Sequence, residues 1–140
     1  MKRVVVDASV VIKWFVDEVH AESARRLQKD RYELMAPDLL WVECGNILWK
    51  KVGRKELTAE EARWIRNGLE QQPIDTLSTS VVLEPALEVA LETGRTVYDA
   101  CYLAVALLSG TELVTADRKL FNSLRQSEYG QNLTWIADVA

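Results

Sequence analysis

Residues 3–7 read RVVVD, three consecutive valines closed by an acid. β-branched side chains favour extended backbone. A run that is apolar on both faces, without alternation, belongs to a strand covered from both sides, as in a parallel sheet. Four similar segments follow. ELMA at 33–36 ends at Pro37, IDTL at 74–77 follows Pro73, ELVT covers 112–115, and LTWI covers 133–136. Helical signals fall between them. Ala21, Ala24 and Leu27 recur at helical spacing over about 20–30. Asp38 reads as the N-cap of a helix running to Lys51, and Thr58 with Glu61 forms a capping-box pattern. Another helix starts near Glu84, with Pro85 in its first turn, and stops at Gly94. The apolar segment 97–109 opens at Thr96 and closes at Gly110, and a short helix covers 117–126. Strands interleaved with helices predict an α/β fold, a mainly parallel sheet covered on both faces.

The 140 residues predict a single domain over 1–140, because two cores would each sit near the lower limit of independent folding. With 49% hydrophobic residues the chain is not a disordered one. Seventeen basic and 21 acidic side chains leave a net charge of −4, which argues against an indiscriminate nucleic-acid coat. The balance is uneven: residues 50–66 carry +3 and the remainder −7. Lys50, Lys51, Arg54, Lys55, Arg63 and Arg66 supply that basic stretch, which reads either as a phosphate-contacting hairpin or as a solvated helix surface. Lys13, Arg95, Arg118 and Lys119 lie close in sequence to the acids considered next. Cys44 and Cys101, both in apolar segments, fit neither a disulfide framework nor a zinc site and point to a reducing cytoplasm. Val97 to Leu108 is apolar but too short to span a bilayer and contains Asp99. Lys2 and Arg3 are followed by only three valines before Asp7, so no export signal is expected.

Four acids stand where packing alone would not put them. Asp7 closes the first strand, and Asp117 lies two residues beyond Thr115, at the carboxyl end of another. That edge of a parallel sheet is where ligand crevices form, though both acids also suit helix caps. Glu43 falls on an apolar helical arc with Leu39, Leu40 and Ile47, where a carboxylate needs a basic partner or a metal. Asp99 is the only charge in VYDACYLAVALL, and either completes a capping box with Thr96 or faces a ligand before the helix. Converging on one crevice, four carboxylates would repel one another unless a divalent cation neutralised them. Oxygen-only ligands suit Mg²⁺ or Mn²⁺, and such an ion supports phosphodiester hydrolysis. The six glycines form no phosphate-binding loop, and the lone His20, in a polar stretch that reads as exposed, is poorly placed for a Ser-His-Asp triad. Cys44 and Cys101 read as small core residues.

VVDASVVIKWF at 5–15, APDLLWVECGNILWK at 36–50, TVYDACYLAVA at 96–106 and LVTADRKLF at 113–121, in this order, resemble the PIN-domain ribonucleases. The similarity is greatest to the VapC-type toxins of toxin–antitoxin pairs. The resemblance spans essentially the whole chain and implies a three-layer α/β/α fold. It also implies a metal-dependent endoribonuclease whose four acids are Asp7, Glu43, Asp99 and Asp117, holding Mg²⁺ or Mn²⁺. Ser9 and Thr115 would orient carboxylates or water, although both also suit plain turn hydroxyls. An RNA substrate, a VapB-type antitoxin and a homodimer are the partners the resemblance implies.

Two other functions fit the same elements. A haloacid-dehalogenase-like phosphatase needs a second aspartate two residues after the first, and position 9 is serine. A non-catalytic RNA- or protein-binding module would have no need of all four acids. Of five tryptophans, Trp14 and Trp41 lie near acid-bearing segments and could stack bases, whereas Trp49 and Trp135 read as core.

Overall fold

The computed structural model describes residues 1–140. Five strands, β1 (Lys2–Val6), β2 (Tyr32–Pro37), β3 (Ile74–Leu77), β4 (Glu112–Thr115) and β5 (Leu133–Trp135), form one parallel sheet in the order β3-β2-β1-β4-β5. Seven helices complete the chain: α1 (Ala8–Val11), α2 (Ala21–Arg25), α3 (Leu39–Gly53), α4 (Ala59–Leu69), α5 (Thr79–Thr93), α6 (Val97–Ser109) and α7 (Arg118–Leu124). The architecture is the expected three-layer α/β/α sandwich. Central β1 pairs Val4 with Leu34 of β2 and with Glu112 of β4, so Val4, Val5 and Val6 are enclosed. Helix α6 is buried without interruption from Ala100 to Ala106, because it packs on β1, β2 and β4 with α5 against it. An unbroken apolar surface of this kind is what a fully enclosed helix requires. Gly94 (φ 76°) and Gly110 (φ 64°) end α5 and α6 in the left-handed region, as expected of both.

The strands lie where the sequence puts them, and four local expectations are corrected. Asp38 stands at the N-cap position of α3 as expected, but its side chain makes no capping bond: its backbone is already helical, and its carboxylate accepts a 2.8 Å hydrogen bond from Thr79 Oγ1. Helix α5 starts at Thr79, which puts Pro85 inside it. Burying Val82, Ala86 and Val89 outweighs the roughly 3 kcal/mol that an internal proline costs. Ala8–Trp14 forms α1 and a 3-10 turn, which the β-branched run VVI does not signal. Trp49 is 71% exposed, not core, and Trp14 is buried with its indole N–H donated to Ala24 O at 2.8 Å, so it cannot stack a base.

Candidate active site

The order β3-β2-β1-β4-β5 reverses direction at β1, which opens a crevice at the carboxyl ends of β1 and β4. Asp7 follows the first of these strands and Asp117 the second. A cavity of about 270 Å³ lies there, lined by Asp7, Ser9, Glu43, Asp99, Tyr102 and Asp117, with Asn46, Ile47 and Lys50 on its α3 side. All four sequence-identified acids therefore reach one cavity, from a strand end, the middle of α3, the first turn of α6 and a second strand end.

Asp7 is only 5% exposed. Its Oδ1 accepts from Ser9 Oγ (2.5 Å) and from the Val10 N–H (3.2 Å), and its Oδ2 accepts from the Thr115 hydroxyl. These hydroxyls also tie the two strand ends together. The Ala116 N–H donates to Ser9 Oγ at 3.2 Å and the Asp117 N–H to Thr115 Oγ1 at 3.0 Å. Asp7 thus caps α1 and holds β1 to β4 at once. Burial pushes its carboxyl up to about 6; the three hydrogen bonds oppose that rise and the Asp117 charge adds to it. Asp117 itself caps α7, accepting the Leu120 N–H at 3.1 Å.

Glu43 accepts a hydrogen bond from the Tyr102 hydroxyl. Burial raises the Glu43 carboxyl above its usual range, the Tyr102 bond opposes the rise, and Asp99 and Asp117 reinforce it. Burial first, and then Glu43, push the Tyr102 hydroxyl far upward, so it remains a donor. Asp99 makes only half of the expected capping box: its N–H donates to Thr96 Oγ1 at 3.1 Å, while its carboxylate pairs with Arg95 Nη2 at 2.8 Å. Tyr102 is the neighbour whose role sequence reasoning passed over, and Arg95, noted there only as a cation near the acids, proves to pair with Asp99. Their signal was spacing, since Tyr102 stands three residues after Asp99 on α6 and Arg95 four before it.

The donor set around the cavity is oxygen, which suits a hard divalent cation. Cys44 is buried and its thiol is pushed up to about 12, so it brings no thiolate. His20 is half-buried rather than exposed, edge-on to Trp135 with ring centroids 5.7 Å apart. No three acids stand close enough to ligate one ion in this arrangement. Of the nearby cations, Lys13 is buried against Glu18 at 3.1 Å, whereas Arg118 lies over the Trp135 ring at 3.9 Å and is exposed. No helix is long and apolar enough to cross a membrane.

Known proteins share this arrangement of sequence and fold. The family model described as PIN domain matches residues 4–125. Ribonuclease VapC3 of Pyrobaculum aerophilum is 38% identical, over 84% of this chain and 92% of its own length. Exonuclease VapC9 of the same organism is 37% identical, over 66% and 68% respectively. The crystal structure of PAE2754, also from Pyrobaculum aerophilum, superposes with a TM-score of 0.64 at 29% identity, covering 87% of this chain and 79% of that one. A toxin–antitoxin complex from Klebsiella pneumoniae superposes at 0.63 with 20% identity, covering 94% and 95%, a likeness of fold. With the PIN-domain model matching residues 4–125 and a VapC relative 38% identical over most of both chains, the chain belongs to the PIN-domain family, among the VapC-type members.

Proposed function

We propose that this protein is a divalent-metal-dependent endoribonuclease, the toxin of a toxin–antitoxin pair. The observation that carries the reading is the meeting of Asp7, Glu43, Asp99 and Asp117 at one cavity on the carboxyl edge of the sheet. Its relatives named as ribonuclease and exonuclease support nuclease chemistry, and the toxin–antitoxin neighbour suggests a VapB-type antitoxin as partner. We place its action in the cytoplasm, in keeping with two unpaired, buried cysteines.

Asp7, Glu43, Asp99 and Asp117 would hold Mg²⁺ or Mn²⁺. Bound there, such an ion supplies a water of lowered pKa and offsets charge developing on a phosphoryl oxygen. The chain's own residues do the rest. Ser9 and Thr115 fix the orientation of Asp7 by donating to both of its oxygens. Tyr102 aims Glu43 and opposes the rise that burial causes, because a hydrogen bond to a carboxylate favours its charged form. Arg95 screens Asp99 until RNA arrives. Lys50, on the cavity's α3 wall, offers a cation to the incoming backbone. Ser9 stands where phosphatase chemistry of the haloacid-dehalogenase kind would need a second aspartate, and its hydroxyl is committed to Asp7. We further expect a homodimer: Val81, Leu83, Leu87 and Leu91 leave α5 an exposed apolar flank that a second copy would cover.

The test uses linear and circularised RNA with Mg²⁺, Mn²⁺ or a chelator, and compares Asp7→Asn and Asp99→Asn variants of verified fold. Cutting of circular RNA that stops in chelator and in both variants supports the reading. Cleavage that survives chelation or both substitutions overturns the metal-dependent mechanism, and cleavage of linear RNA alone makes the enzyme an exonuclease. A rise in melting temperature with metal, lost in Asp117→Asn, probes the site without any substrate.

A further inference from the structure

Beyond the acid cavity, the C-terminal half of α3 carries an unexplained aromatic. Trp49 is 71% exposed, beside Leu48, which is buried in the core, and Val42 on the same helix is exposed as well. It lines a second cavity of about 360 Å³ with Lys50, Val52, Gly53 and Arg54. Lys50 lines both this cavity and the acidic one, so the two are neighbours. Glu43, Asn46, Ile47 and Lys50 follow helical spacing along one face, and Trp49 stands about 9 Å beyond Glu43 along the axis. Gly53, one turn after Trp49, leaves that side of the indole bare, with nothing within 4 Å of where a Cβ would stand. Charge at this end is positive and unspent. Lys51 is held by Glu18 and Glu56 at 3.2 and 3.6 Å, whereas Lys50 and Arg54 form no ion pair.

An exposed indole beside two unpaired cations, one of which also lines the acid cavity, has the chemistry of a single-strand platform: aromatic stacking for a base and cations for neighbouring phosphates. We propose that Trp49 stacks an unpaired base of the RNA near the cleaved phosphate, with Lys50 and Arg54, one helical turn apart, holding the adjoining backbone. This rests on the nuclease reading and assigns the contact with the base to Trp49. A duplex keeps its bases stacked on each other and offers Trp49 none. A protein partner would cover the same indole, but two unpaired cations beside it favour a polyanion.

The experiment measures binding of a short labelled single-stranded RNA, and of its duplex, to the full chain in chelator, where no cleavage occurs. Cleavage of the same RNA in Mn²⁺ is followed separately. Wild type should bind the single strand more tightly than the duplex. Trp49→Ala should weaken single-strand binding roughly 5- to 100-fold, as loss of one stacked base does, and Trp49→Phe should retain most of it. Arg54→Gln should flatten the salt dependence of log Kd by about one. Gly53→Leu gives a second route, since it fills the bare side of the indole without touching the core, and should weaken binding while raising or preserving the melting temperature. Unchanged single-strand affinity in both Trp49→Ala and Gly53→Leu, with wild type cleaving normally, overturns the platform alone and assigns the indole to a protein contact. No binding and no cleavage by wild type overturns the nuclease reading and the platform with it.

Discussion

The Tyr102 hydroxyl donates to the Glu43 carboxylate, joining the buried face of α6 to the middle of α3 at the wall of the acid cavity. Tyr102 is 2% exposed, so phenylalanine fills the same space and removes only the donor. Tyr102→Phe should cost about 1–2 kcal/mol in stability. Without the bond that opposes it, the Glu43 carboxyl rises further above its usual range. RNA cleavage should fall about tenfold, with most of the loss recovered at higher pH. Thermal melting and a pH–rate profile read the two effects separately.

Asp7 makes the metal-free protein pH-sensitive. Its carboxyl is pushed up to about 6 from 3.8, so the folded state holds this proton more tightly than the unfolded chain does. The stability linked to it is fully present below about 4 and is lost as pH rises through about 6. The difference amounts to roughly 3 kcal/mol. In chelator, the melting temperature should be several degrees higher at mildly acidic pH than at neutral pH, a dependence that Asp7→Asn removes. Adding Mn²⁺ at neutral pH should stabilise the wild type and leave Asp7→Asn unmoved.

Thr115 is fully buried and serves both Asp7, as donor, and Asp117, whose N–H it accepts. Thr115→Val keeps the shape and deletes both bonds. Cleavage should drop at least tenfold, and the acid limb of the pH profile should move upward as Asp7 loses a bond that lowers its pKa. Thr115→Ser should restore most of the activity. Single-turnover cleavage across pH distinguishes these outcomes from simple destabilisation.

Thr58 and Thr96 offer a matched pair. Each caps a helix, Thr58 accepting from the Glu61 N–H at 3.0 Å and Thr96 from the Asp99 N–H at 3.1 Å. Alanine at either position should cost about 1 kcal/mol. Only Thr96→Ala should also slow cleavage, because its cap steadies the residue that bears a cavity carboxylate. Equal effects on activity would remove Asp99 positioning as an explanation.

The strands and the four acids were legible because their signals are local: β-branched runs bounded by Pro or Gly, and charges inside apolar segments. Asp99 stood out in VYDACYLAVALL, and α6 buries that segment as a unit. What stayed hidden depends on contacts between distant segments. Asp38 reads as a cap until Thr79, 41 residues later, takes its carboxylate. Pro85 reads as a first-turn residue until the burial of Val82 lets the helix begin earlier. Trp49 sits among apolar neighbours in the sequence, yet helical rotation turns it to solvent while Leu48 is buried. For the same reason the bonds from Ser9 and Thr115 to a shared Asp7 were beyond reach, since one of them closes 108 residues of chain.

That last distance bears on how the protein is made. Central β1 emerges first from the ribosome, but β4, which stands beside it, begins only at Glu112. Until then Asp7 has no Thr115 to hold it and no Asp117 opposite. A nascent chain therefore carries three of the four acids without the wall that joins them, and the cavity closes late in synthesis. Whatever the four acids do together therefore waits until β4 has been made.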